Sequence, residues 1–243
     1  LVPSTGAFHA RNPRRKINRE AKAVIRTITI EREYGAGGGA IAKKLADRLG
    51  WKLWDQALTC EIARVAKVDQ AVVERMDERC DSLFYRLMKV FMRGSMEQSL
   101  PIRGMDHFDA DSMVEFMQRV ISGAASEGNS VIVGRGGPFL LRGRPDTFHV
   151  FIYAPFEEKI RRLREAGKSE QEATDGIENV DRQRVIFVRR YFGMEWPTRE
   201  LYHMMINSKV GDDIVVDTIL NGVHSMEAQE IPSDFGVVKP GKG

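Results

Sequence analysis

A β-branched run, Val24–Ile30, leads within a few positions into Gly35-Ala36-Gly37-Gly38-Gly39, and a helical pattern follows with Ile41, Leu45 and Leu49 on one face. This order of strand, glycine-rich turn and helix restricts what the chain can fold into. Such a turn at a helix N-terminus gathers backbone N–H groups and the positive end of the helix dipole around one point, which binds phosphate without any side chain. Glycines also serve tight turns for steric reasons alone. The place of this cluster, between the first strand and the first helix, favours the phosphate reading.

The same rhythm continues along the chain. Short strands are predicted at Lys52–Trp54, Val131–Val133, Phe148–Tyr153 and Met204–Ile206. Helical patterns cover Gly39–Leu49, Met113–Glu127 with Asp111 or Ser112 as cap, Phe156–Glu165 after Pro155, Ser169 to about Phe192, and Asp212–Leu220. Further helical patterns follow Asp55 and Asp69 and fill Ser82–Glu97, with a loop over Ser99–Asp109. Alternating units of this kind predict an α/β fold, a five-stranded parallel sheet flanked by helices.

Residues 1–22 crowd Arg11, Arg14, Arg15, Lys16, Arg19 and Lys22 into a stretch without apolar periodicity, which reads as a flexible basic arm. No aromatic residues interleave with that charge, so a nucleic-acid partner is not expected. Residues 23–225 form the folded domain and 226–243, with Pro232 and Pro240, a flexible tail. No apolar run approaches the ~18 residues of a membrane span, and no secretory apolar stretch is present. Cys60 and Cys80 lack metal-ligand spacing and read as buried thiols, which fits a cytoplasmic protein. The Asp106-His107-Asp109-Asp111 cluster is explained by capping and turn chemistry, so no metal site is expected there.

A second glycine cluster, Gly134-Arg135-Gly136-Gly137, ends the strand at Val131–Val133. Ligands of open α/β sheets gather at the carboxyl ends of strands. An arginine held there can fork onto a phosphate, or simply pair with a carboxylate in the turn. Phosphate-binding loops ordinarily end in Gly-Lys-Ser/Thr, the lysine meeting the β- and γ-phosphates and the hydroxyl meeting Mg²⁺. Aligned through Gly35 and Gly37, this chain has Gly38 at the lysine position and Ala40 at the hydroxyl position. Arg32 is the nearest alternative cation, with Lys43 and Lys44 a turn later. Glu31 is a candidate for holding Mg²⁺-bound water.

Ile28-Thr29-Ile30-Glu31-Arg32-Glu33-Tyr34-Gly35-Ala36-Gly37-Gly38, followed by Val133-Gly134-Arg135-Gly136-Gly137, resembles the cytidylate kinase-like family over about residues 23–222. That family's turn, Ser/Arg-Glu-Tyr-Gly-Ser-Gly-Gly, already lacks the loop lysine; it commonly continues with Arg-Glu, where this chain has Gly39 and Ala40. The resemblance implies a three-layer P-loop kinase fold with a helical lid region, and ATP and Mg²⁺ as cofactors. It casts Arg32, Gly35, Ala36, Gly37, Gly38, Gly39 and Ala40 as the cofactor-binding turn, and Asp55 and Arg135 as acceptor-binding residues. Arg182, Arg184 and Arg189 become lid arginines that close over the transferring phosphate. Asp55 would look the same as a plain N-cap, and the charged stretch 169–192 the same as a solvated helix face. Two functions remain open: phosphoryl transfer from ATP to a small phosphorylated acceptor such as CMP or dCMP, and a nucleotide-binding regulatory module without turnover.

Overall fold

The computed structural model describes residues 24–55 and 110–228, with side chains from Met117 onward in the second segment. The helical patterns predicted between Asp55 and Glu97, the loop to Asp109, the basic arm, both cysteines and most of the C-terminal tail lie outside the described residues.

Strand β1 (Thr27–Arg32) alternates threonine with isoleucine, yet all six residues are buried. The physical reason is its central place in a sheet covered on both faces. Ile28 and Ile30 join one apolar cluster. The threonines on the opposite face are satisfied internally: Thr29 Oγ1 lies 2.7 Å from His149 Nδ1, and Thr27 Oγ1 donates to the Ala125 carbonyl at 3.4 Å. β2 (Lys52–Trp54), β3 (Ser130–Val133), β4 (Thr147–Tyr153) and β5 (Met204–Asn207) complete a five-stranded sheet in the order β2-β3-β1-β4-β5. Every pairing is parallel, including β1 with β3 and β1 with β4.

Helix α1 (Gly38–Leu49) and the last helix cover one face of the sheet; Ile41, Leu45, Val215 and Ile219 meet Ile28, Val131 and Val150 there. On the other face α2 (Ala110–Glu127), the short α3 (Gly137–Leu140) and the long helix Glu170–Phe192 bury Met117, Ile121, Phe139 and Phe187 against Ile132 and Trp54. α4 (Phe156–Glu165) follows β4, and α5 (Glu170–Phe192) starts at a capping box in which Ser169 and Glu172 exchange hydrogen bonds. α6 (Asp212–Ala228) closes the domain. It runs past the predicted end at Leu220 and takes in the start of the segment read as tail. The added turns still carry core contacts, because Val223 is buried and Met226 packs against the same cluster.

The first strand also sits later than the apolar run predicted. Val24 is 65% exposed, whereas pairing continues to Arg32 opposite Ile152. The strand therefore ends on two buried charged residues, Glu31 and Arg32, and these open the site.

Candidate functional site at the carboxyl ends of β1 and β3

Between β1 and α1 the chain makes its turn through two left-handed glycines, Gly35 at φ 78° and Gly37 at φ 76°. Gly37 is the N-cap residue, so the first-turn N–H groups of α1, from Gly38 to Ala40, have no acceptor within the helix. They are the donors a phosphate would meet. Surrounding elements fix the turn from several sides. Ser208 Oγ donates to the Ala36 carbonyl at 2.7 Å. The Glu33 carboxylate accepts from Lys159 Nζ at 3.0 Å, and the Tyr34 N–H donates to Asp181 at 3.0 Å. Above Gly37 lies the Arg162 guanidinium, so close that a β-carbon on Gly37 would stand 2.2 Å from its Nη1. Arg162 is itself held by Glu158, by Asp212 at 2.9 Å and by the Ser208 carbonyl at 3.0 Å.

The second glycine cluster forms a run of left-handed residues, with φ 63° at Gly134, 56° at Arg135 and 69° at Gly136. This sharp turn points Arg135 inward, where it is 2% exposed and donates through Nη2 to the Asp55 carbonyl at 3.1 Å. Arg184 comes from the buried face of α5 and donates through Nη1 to the Arg32 carbonyl and to Asp181, both at 2.8 Å. Its guanidinium lies 5.8 Å from the Trp196 ring centre. Glu31, Arg32, Arg135, Arg184, Val188 and Trp196 together line one cleft.

Burial pushes the Arg32 guanidinium below the usual arginine range, and the Arg184 charge adds to that; Glu31, Asp55 and Asp181 oppose it. Burial likewise raises Asp181, against the pull of Arg184 and the Tyr34 N–H. Three guanidinium groups and one carboxylate, Glu31, line the cleft, with Asp181 paired to Arg184 at its edge.

The structure brings Arg32, Arg135 and Arg184 together with the Gly35–Ala40 turn nearby, and places Asp55 against Arg135 through its carbonyl. Whether Asp55 also caps a helix concerns residues beyond those described. Arg182 and Arg189 are a different matter. They share a helical face, as their spacing predicts, but that face is exposed, whereas Arg184 lies with Ile177, Val180, Phe187 and Val188 on the buried one. Neither lines the cleft, which takes Arg184 and Val188 from this helix. Sequence reasoning missed Arg162, Lys159 and Ser208 as supports of the turn. Arg162 sits in a run of arginines and glutamates that looks solvated throughout; only the 100° step per residue turns Arg162 inward and leaves Arg161 outside.

This strand order, with a glycine turn feeding the helix after the central strand, defines a P-loop kinase-type domain. The family model described as cytidylate kinase-like matches residues 27–210, and the chain belongs to that family. Among solved structures, an uncharacterised protein from Eubacterium ventriosum is 25% identical, with a TM-score of 0.59, over 84% of this chain and 99% of that one. Shikimate kinase from Acinetobacter baumannii, in complex with shikimate, is 16% identical with a TM-score of 0.47, over 84% of this chain and 95% of its own. Deoxyadenosine kinase from M. mycoides, with dCMP and dCDP bound, is 12% identical with a TM-score of 0.37, over 82% and 99%. No curated protein matches the chain. No helix among the described residues is long and apolar enough to cross a membrane.

Proposed function

We propose that this protein is a nucleotide-dependent phosphotransferase that moves the γ-phosphoryl group of ATP to a small phosphorylated acceptor, CMP or dCMP being the acceptors the family implies. The observation that carries this reading is the convergence of Arg32, Arg135 and Arg184 on one cleft beside a glycine turn at the N-terminus of α1. Phosphoryl transfer asks the protein for positioning and charge neutralisation rather than for a covalent group. An acceptor oxygen forms the new bond to the γ-phosphorus, the bond to the bridging oxygen breaks, and ADP leaves.

In this reading the N–H groups of α1 hold the nucleotide phosphates, Arg135 holds the acceptor, and Arg184 stabilises charge on the transferring group. The turn fits phosphate through the first-turn N–H groups of α1, which have no acceptor within the helix, and a β-carbon on Gly37 or Gly38 would meet the Arg162 or Arg32 side chain beside them. For Mg²⁺ the described residues offer less: Ala40 lacks the hydroxyl, and no group of three or more His, Cys, Asp or Glu is found among them. The ion would ride chiefly on the nucleotide's own phosphates, with Glu31 the carboxylate lining the cleft. When bound, it supplies neutralisation of phosphate charge. We place the protein in the cytoplasm on composition alone.

One observation favours a second reading, nucleotide binding without turnover: Gly38 stands where the loop lysine ordinarily acts. Radiolabelled ATP offered with a panel of nucleotide and non-nucleotide acceptors separates the two. Mg²⁺-dependent label transfer to a nucleoside monophosphate is expected. Transfer no faster than with heat-denatured protein, alongside intact nucleotide binding, selects the second reading.

A further inference from the structure

The Arg32 side chain fills space that two glycines leave open. Its Cβ and Cγ lie 2.7 Å from where a β-carbon on Gly38 would stand, and its Nη1 lies 2.1 Å from the same point on Gly134. Gly134 has a left-handed backbone as a second reason to be glycine, but Gly38 does not. At position 38 it is room, not backbone conformation, that calls for glycine. Position 38 is also where a phosphate-binding loop ordinarily carries its lysine. A lysine stem there would need the volume that Arg32 now occupies.

We propose that Arg32 replaces the loop lysine, reaching the phosphates from the end of β1 instead of the start of α1, through a slot formed by Gly38 and Gly134. The inference rests on the reading of the Gly35–Ala40 turn as a phosphate cradle. Arg32 is held firmly in that slot, being 5% exposed, with its Nη1 3.5 Å from Glu31 and its carbonyl bound by Arg184. A guanidinium held this way presents a planar fork to two oxygens at once, whereas a lysine offers a mobile point charge.

Calorimetric titrations with MgATP and, separately, with inorganic phosphate test the slot in wild type, Arg32→Ala, Gly38→Ala and the double variant. Each single variant is expected to weaken binding about tenfold or more. The double variant should bind no worse than Arg32→Ala, because no guanidinium remains for the new methyl group to displace. Losses that multiply, or a Gly38→Ala variant that binds like wild type, overturn the proposal. Melting curves without ligand show which variants are folded; if Gly38→Ala is not, unchanged binding in Arg32→Ala overturns it instead. If wild type binds phosphate but not MgATP, the kinase reading falls while the same pattern in phosphate titrations supports the slot. Binding of neither overturns both.

Discussion

Arg184 uses one guanidinium in two ways, since the group that faces the cleft also ties Arg32 and Asp181 together. Arg184→Ala should therefore lower turnover by about 10²-fold, the usual loss for one preorganised charge-stabilising donor, and lower the melting temperature as well. Arg135 has a different partner, the Asp55 carbonyl, on the β2 side of the cleft. Arg135→Ala should raise KM for the acceptor and leave KM for ATP near its wild-type value. Steady-state kinetics with both substrates varied would check this; equal rises in the two constants would count against the assignment.

The elements themselves are largely legible in the sequence. Lys52–Trp54 and Phe156–Glu165 fall at the predicted boundaries, because a turn signal or Pro155 flanks an apolar pattern at each. The misplacement of β1 has a physical source. Apolar content identifies a strand by its core-facing part, while a strand that ends in a site finishes on polar residues, here Glu31 and Arg32. The short α3 leaves no trace in the pattern, since four residues carry no periodicity. The cleft is legible where glycines bracket an arginine and illegible where helical phase decides, as with Arg184 against Arg182 and Arg189. Two expectations belong to this scale. Ser169→Ala removes the cap of α5 and should cost about 1 kcal/mol in denaturant unfolding. Gly37→Val puts a side chain where Arg162 and the phosphate path lie. MgATP at a hundredfold excess over its Kd should stabilise wild type by about 2.7 kcal/mol and leave this variant's melting temperature unmoved. Equal shifts in both would make the turn merely structural.

For the molecule as a whole, two neighbouring histidines, His149 in β4 and His203 just before β5, set an acid limit. Burial and the neighbouring His203 push His149 down to about 3, and burial pushes His203 down to about 4. Both groups sit near 6.5 in the unfolded chain, so below that pH the unfolded state binds more protons and gains on the native one. Stability should be full above about pH 6.5 and fall as pH drops toward 4, with a slope from His149 approaching ~1.4 kcal/mol per pH unit. Denaturant unfolding at pH 7, 6 and 5 would show it; a flat profile would mean that these rings protonate in place. The left-handed turn at Gly134–Gly136 bears on the history of the chain as well as its folding. A non-glycine residue at φ 56° costs about 1 kcal/mol, and Arg135 also keeps a charged group out of water. Laboratory evolution that rewards only folded yield should therefore drive position 135 toward glycine, and lineages also required to use the acceptor should keep the arginine.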